Sequence, residues 1–400
     1  MRAVFSPSFA RGEAFTPPSK SMAHRALIAA ALSEGESVLS PIALSEDMLA
    51  TMDALTALGA TFTREEGKVV VKGFGKNPSF GKEIFCRESG STLRFLIPLC
   101  LLSGEEYILS GSDRLMERPL SVYEDLAKEK GFLFEKREGK LFVSGCLLAG
   151  EYSVPGNISS QFITGLLFAL SLLEEDSFLR ITGGMESASY IDMTLSAMAS
   201  FGVKAEKREG GFFIPGGQKY LPRNFQVEGD YSNAAFLDAF SKVGGKVHLL
   251  GMKKDSLQGD RVYKGHFQSL EKGFCEIDLS DCPDLAPILF ALAAFFHGAH
   301  FTGTKRLRIK ESDRGEAMRA ELEKCGVTLE IGENDILVPG GKLLPPKEVI
   351  SGQNDHRIVM AMSVLLSRLG GEIEGAEAVA KSYPDFFEEI KKLGIKVDLK

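Results

Sequence analysis

A polar knot followed by an apolar, helix-like run recurs six times in this sequence: at Ser19 (SKSMAHRALIAAAL), Ser89 (SGSTLRFLIPLCLL), Ser159 (SSQFITGLLFALSLL), Asp230 (DYSNAAFLDAF), Asp284 (DLAPILFALAAFF) and Asp355 (DHRIVMAMSVLL). The steps between these knots are 70, 70, 71, 54 and 71 residues. A second signal keeps the same beat. Helix-like segments end in glycine at Gly59, Gly131, Gly202, Gly273, Gly326 and Gly394, with steps of 72, 71, 71, 53 and 68. Two signals with one period mark six copies of a unit longer than the common solenoid repeats. Each copy reads as helix, strand, loop, capped helix, glycine, strand; in the first copy the later pieces are residues 37–39, 47–58 and 69–71.

Four hundred residues exceed what one core usually serves. The repeat therefore predicts an α/β chain of two domains with three repeats each and a seam within residues 222–230. The longest apolar run, residues 285–296, is too short to span a bilayer, and the first fifteen residues carry no signal-like apolar region. Six cysteines without a C-x-x-C pair fit buried thiols in a reducing compartment, so a cytoplasmic location is expected. The net charge of -7 argues against a nucleic-acid partner. Residues 75–82 resemble a phosphate loop but have five residues between the glycines, not four, and Glu83 follows where Ser or Thr is needed; no G-x-G-x-x-G occurs. Nucleotide binding through those motifs is excluded.

Any anion site must then be local. Strands joined through helices run parallel, and both helices of such a unit start just beyond the carboxyl ends of its strands. All helix starts of a domain then share one face, and free N–H groups with the positive dipole end favour anions there. Two such faces across a cleft would gather roughly a dozen helix starts. The first knot supplies Lys20, Ser21 and Arg25, the latter two four apart on one helix face. Second loops carry Arg114 and Arg118 before Pro119, Ser187 with Tyr190, Lys310 and Arg314 around Glu311 and Asp313, and Lys381 before Pro384. A single such cation is ordinarily a solvated charge; some seven at equivalent places in six repeats are harder to dismiss. Asp284 and Glu311 fall among them. Each reads equally as a cap or ion-pair partner and as an acid/base group in a cationic, partly dry site. His24 and His356 also lie at helix starts, with no metal-ligand spacing between them.

With these motifs in order, the chain resembles the 3-phosphoshikimate 1-carboxyvinyltransferase (5-enolpyruvylshikimate-3-phosphate synthase) family of enolpyruvyl transferases, from Lys20 to Pro384. The pieces that carry the resemblance are Lys20-Ser21-x-x-x-Arg25, Gly90 with Arg94, Glu117-Arg118-Pro119, Ser159-Ser160-Gln161, Ser187 with Tyr190-Ile191-Asp192, Pro283-Asp284, Lys310-Glu311-Ser312-Asp313-Arg314, Asp355-His356-Arg357 and Lys381-Ser382-Tyr383-Pro384-Asp385. The resemblance implies a two-domain inside-out α/β barrel, with residues 18–225 as the first domain and 1–17 plus 226–400 as the second, and the active site in the cleft; two cationic faces that repel when empty would be expected to close on a shared anion. It implies transfer of the enolpyruvyl group of phosphoenolpyruvate to the 5-hydroxyl of shikimate 3-phosphate, as in aromatic amino acid biosynthesis, by a monomer without metal or cofactor. Ser21, Arg25, Ser159, Ser160, Gln161, Ser187, Tyr190, Asp284 and Lys310 would hold shikimate 3-phosphate. Lys20, Gly90, Arg94, Arg118, Gln161, Arg314, Arg357 and Lys381 would hold phosphoenolpyruvate. Asp284 would be the base for the hydroxyl and Glu311 the acid for the enol carbon, with Lys20 as the other candidate acid.

The chain departs from the family pattern in two places. Glu88-Ser89-Gly90-Ser91 stands where Asn-x-Gly-Thr is common, and Arg306 stands where some members use asparagine. Three rival readings are weaker. The related transferase acting on UDP-N-acetylglucosamine usually carries Lys-Asn in place of Lys20-Ser21 and a cysteine in the 114–119 loop, which has none here. An RNA-end cyclase is disfavoured by the acidic balance. A non-catalytic repeat scaffold would not require cations and carboxylates at equivalent loops.

Overall fold

The computed structural model describes residues 1–78 and 83–400, so the end of the 75–82 stretch lies outside the described residues. The chain separates into two compact units, residues 18–228 and residues 1–17 with 229–400. Each is a mixed α/β body with its own hydrophobic core.

In the unit 18–228 three buried helices, Lys20–Ala31, Gly90–Cys100 and Ser160–Leu170, occupy the core, and three second helices, Glu46–Ala57, Ser121–Lys130 and Ala188–Ser200, follow them in the chain. The apolar runs explain this division. Ala26 to Ala30 are each fully buried, and so are Phe162 and Ile163, because these helices carry no polar face beyond the first turn. Each buried leucine or phenylalanine contributes about 1.5–3 kcal/mol through loss of wet apolar surface. The knots are N-caps: Ser19, Ser89 and Ser159 accept backbone N–H bonds from Met22, Thr92 and Gln161. The other unit repeats the scheme with Tyr231–Lys242, Ala286–Phe295 and His356–Leu369, the first and third capped by Asp230 and Asp355.

Pro98 lies inside the helix Gly90–Cys100. It removes the N–H that would bond the carbonyl of Arg94. The Tyr123 hydroxyl takes that place, donating to Arg94 O at 2.7 Å. A Cβ on Gly165 of the neighbouring buried helix would come within 2.7 Å of both atoms, so only glycine allows this close approach.

The sheets correct the expectation of parallel pairing. One pair in each repeat is parallel, for example Glu83–Phe85 with Tyr107–Ser110 and Glu151–Pro155 with Ser177–Thr182. In the second, third, fifth and sixth repeats the buried helix is the crossover between the paired strands, so it starts beyond the carboxyl end of the first of them; in the first and fourth repeats the partner strand comes from a distant part of the chain. The remaining strands form an antiparallel hairpin, such as Thr61–Glu65 with Lys68–Lys72. The sequence reading found only its second half. Gly67, Gly139 and Gly210 sit at φ +68, +74 and +75 in these turns, a conformation that glycine adopts without steric cost.

The short step of 54 residues has a physical origin as well. The fourth repeat has no hairpin among the described residues. Its strand Lys246–Leu250 pairs in parallel with Arg11–Phe15 from the N-terminus, and the next strand, Cys275–Asp278, already belongs to the fifth repeat's sheet. The first strand, Arg2–Ser6, lies between Gly371–Glu374 and Lys396–Leu399 in the sixth sheet. No helix of the described residues is long and apolar enough to cross a membrane. The expected burial of thiols holds for Cys86, Cys100, Cys282 and Cys325, but Cys275 is half-buried and Cys146, in a loop, is exposed.

Candidate active site

The helix starts of the unit 18–228 hold its expected cations in separate groups of hydrogen bonds, around Arg94, Lys20 and Arg25. Arg94 donates to Gln161 Oε1 at 2.7 Å and to Pro119 O at 3.0 Å, and Gln161 Nε2 donates to Ser91 Oγ at 2.8 Å. Lys20 pairs with Asp47 Oδ2 at 2.6 Å, an aspartate the sequence reading placed only at a helix start. Arg25 is 3% exposed. Its three guanidinium nitrogens donate to Thr194 Oγ1, Ser21 O and Tyr190 O at 2.8, 2.7 and 2.9 Å, all neutral acceptors. Burial lowers its pKa to about 10, because the cation has lost water without gaining a carboxylate.

Ser187 adopts φ +55 at the start of Ala188–Ser200, a left-handed conformation uncommon for a residue with a Cβ, and its side chain does not cap the helix. His24 is buried and stays neutral. Burial first, then Lys20 and Arg25, hold its pKa well below the usual value, and Nδ1 meets Thr51 Oγ1 at 2.8 Å. Thr51 in turn meets Thr92 at 2.7 Å, tying three helix starts together.

Arg118 is 8% exposed and has no carboxylate partner among the described residues. Its guanidinium packs on Gly90, where a Cβ would lie 2.6 Å from Nη1 and 2.9 Å from Cζ. Gly90→Ala should therefore push the guanidinium aside while leaving the fold intact, because the clash is with the movable end of a side chain. On the expectation that Gly90 and Arg118 hold phosphoenolpyruvate, the result would be a raised KM for it at an unchanged melting temperature; a large loss of stability would show that the glycine serves the backbone.

The other unit holds a compact charge cluster. Asp284 lies in the turn Pro283–Leu285 and does not cap the helix Ala286–Phe295. Its carboxylate instead meets Arg314 Nη1 at 2.8 Å, Arg357 Nη2 at 3.0 Å and Lys310 Nζ at 3.4 Å. Burial alone would raise its pKa, but Arg357, Lys310 and Arg314 outweigh that and hold it well below the ordinary range. Arg314, 1% exposed, also binds Glu311 Oε2 at 2.7 Å and Asp355 Oδ2 at 2.9 Å. Burial lowers the pKa of Lys310, against the opposing pull of Asp284. Lys381 donates to Asn354 O at 2.6 Å. Three cations, Lys310, Arg314 and Arg357, thus face three carboxylates, Asp284, Glu311 and Asp355, so this cluster is balanced where the sequence reading expected a cationic face. Asp355 was legible only as a cap; its second role follows from the buried arginine it faces.

The family model described as EPSP synthase (3-phosphoshikimate 1-carboxyvinyltransferase) matches residues 7–390. The chain belongs to the EPSP synthase family. Relatives named 3-phosphoshikimate 1-carboxyvinyltransferase from Clostridium kluyveri and Clostridium perfringens are each 40% identical to it, covering 98% of this chain and 97% and 98% of theirs. A solved EPSP synthase structure from Acinetobacter baumannii, 23% identical, matches all of this chain and all of that one with a TM-score of 0.78, a likeness of fold. As a member of the EPSP synthase family the chain is a transferase.

Proposed function

We propose that the chain transfers the enolpyruvyl group of phosphoenolpyruvate to the 5-hydroxyl of shikimate 3-phosphate, using the two residue sets above. The observation that carries this reading is the pair of nearly buried arginines, Arg25 and Arg118, that face no carboxylate among the described residues. A buried cation without a counter-charge is costly, and a ligand anion would offset that cost. Arg25, with Ser21, Ser159, Ser160, Gln161, Ser187, Tyr190 and Lys310, would hold shikimate 3-phosphate. Arg118, with Lys20, Gly90, Arg94, Gln161, Arg314, Arg357 and Lys381, would hold phosphoenolpyruvate.

The reaction needs two proton transfers in opposite senses. The hydroxyl oxygen bonds to the central enol carbon and releases its proton to Asp284, while Glu311 delivers a proton to the methylene carbon, making a methyl group. In the elimination, a methyl proton returns to Glu311, the carbon–oxygen bond to phosphate breaks, and phosphate leaves with the proton from Asp284. Asp284 is a weak base while three cations grip it. Phosphoenolpyruvate carries its own carboxylate and phosphate, which would draw Arg314 and Arg357 away and restore basicity when substrate is present. Glu311 needs the same change: loss of Arg314 to the substrate raises its proton affinity, so that it holds the proton it delivers.

Incubation with phosphoenolpyruvate and either shikimate 3-phosphate or UDP-N-acetylglucosamine, with released phosphate as the readout, tests the proposal. Release is expected with the first acceptor only. Release with the second alone would overturn it.

A further inference from the structure

Asp260 is a buried carboxylate for which the mechanism above has no use. It lies in the turn Gly259–Val262, 2% exposed, with Oδ2 accepting the Ser232 hydroxyl and Oδ1 lacking any hydrogen-bond donor among the described residues. The loop that carries it is clamped to the start of Tyr231–Lys242: Gln258 accepts from Tyr231 N at 2.9 Å and donates to Gly229 O at 2.8 Å. Such a clamp fixes the carboxylate in place. An aspartate so fixed, with one oxygen unsatisfied, is costly to keep unless its charge serves something nearby. The helix that carries Ser232 also packs against the charge cluster: the Arg357 guanidinium lies over the Phe236 ring, one turn along from Ser232, at 6.0 Å to the ring centroid, and Asp284 holds the same guanidinium at 3.0 Å.

We propose that Asp260 is a positioning residue for the reaction, a second anion beside Arg357 that competes with Asp284 for that guanidinium and so keeps Asp284 able to accept the hydroxyl proton. The inference rests on the role proposed for Asp284. Without the second anion, Lys310, Arg314 and Arg357 would act on Asp284 unopposed. With it, the two carboxylates share the positive charge, and a proton arriving on one favours ionisation of the other.

Burial first, then Asp284, raise the pKa of Asp260 to about 7, against the pull of Arg357 and the Ser232 hydroxyl. The Cys282 thiol is pushed far up by burial, and His266, 3.8 Å from Cys282 Sγ, is pushed down by burial. Asp230, a further neighbouring carboxylate, caps Asn233 N at 2.8 Å. The sign follows. The charge on Asp260 appears as pH rises through about 7, so kcat of the parent should climb across that interval.

Asp260→Asn keeps the shape and an acceptor for Ser232 while removing the charge. It should lower kcat about tenfold or more at pH 8, flatten the climb near pH 7, and leave both KM values within about threefold. Its melting temperature at pH 8 should equal or exceed that of the parent, because the parent carries a buried charge there and the variant does not. In an Asp284→Ala background the same substitution should change kcat no further. Should Asp260→Asn fail to fold, Ser232→Ala gives the second reading: loss of the donor to Asp260 delays its ionisation, so activity falls at pH 7 and recovers at higher pH. An equal fold-loss from Asp260→Asn with and without Asp284, or a pH-independent loss in Ser232→Ala, overturns the role of Asp260 while the transferase reading stands. A parent that releases no phosphate from the two substrates sinks both.

Discussion

Asp284→Ala and Glu311→Gln are each expected to lower kcat by about 10²- to 10⁴-fold, the usual worth of a positioned acid or base, with shikimate 3-phosphate affinity within a few-fold of the parent. Phosphoenolpyruvate has an unactivated double bond, so oxygen adds to it only if the methylene carbon is protonated as the hydroxyl is deprotonated. Two carboxylates on one guanidinium suit that division, since Arg314 touches both Asp284 and Glu311 at 2.8 and 2.7 Å. The two variants differ in what they leave behind. Asp284→Ala frees Arg357 and Lys310 of a counter-charge and should tighten phosphoenolpyruvate binding. Glu311→Gln keeps a hydrogen-bond acceptor for Arg314 and should leave binding unchanged. Deuterium exchange from solvent into the methylene group separates the roles: Glu311→Gln should abolish it. Exchange at the parent rate in that variant would move the carbon acid to Lys20, which sits 2.6 Å from Asp47.

Arg25→Ala should weaken shikimate 3-phosphate by about 10- to 150-fold, the equivalent of roughly 1.5–3 kcal/mol for a charged hydrogen bond, with phosphoenolpyruvate affinity nearly unchanged. All three acceptors around its guanidinium are neutral, so nothing among them neutralises the charge. The ring faces of Phe95 and Tyr190, 5.5 and 5.8 Å from Cζ, hold the group in place without satisfying it. Calorimetric titration of each ligand decides the point. Equal losses for both would make Arg25 a structural residue, and Arg25→Lys, which keeps the charge but not the fork, should then restore neither.

The helices of this chain were legible because their signals are local: a cap oxygen, an apolar run without a polar face, a terminal glycine. The hairpins were not. Their first strands, such as Thr61–Glu65 and Leu133–Arg137, are largely exposed and rich in charge, so they lack the alternation that marks a half-buried strand. In the site, the cations at Arg25, Arg118 and Arg314 stood out by recurrence, and Arg357 by the family resemblance. Their partners did not, because Asp47, Asp355 and Asp260 read as ordinary residues of helix starts and turns. What distinguishes them is which cation each faces, Lys20 for Asp47, Arg314 for Asp355 and Arg357 for Asp260, and that depends on packing between segments roughly 25 to 100 residues apart, which no local pattern carries.

The course of the polypeptide through its sheets bears on how the molecule is made. The unit 18–228 is one continuous stretch, whereas the other needs the first seventeen residues as well as the last. Arg2 N bonds Lys400 O at 2.8 Å, and Lys400 N bonds Arg2 O at the same distance. The strand Arg2–Ser6 can find its place between Gly371–Glu374 and Lys396–Leu399 only after both of those strands have been translated. During synthesis the continuous unit can close its core on the ribosome while the first strand waits, unpaired, for partners nearly four hundred residues away. Loop closure over that span makes this the slow, high-contact-order event of folding. The same adjacency makes the two ends a natural splice: a short turn joining Lys400 to Met1 would complete a hairpin that the fold already draws, and the chain could then be opened elsewhere on its surface.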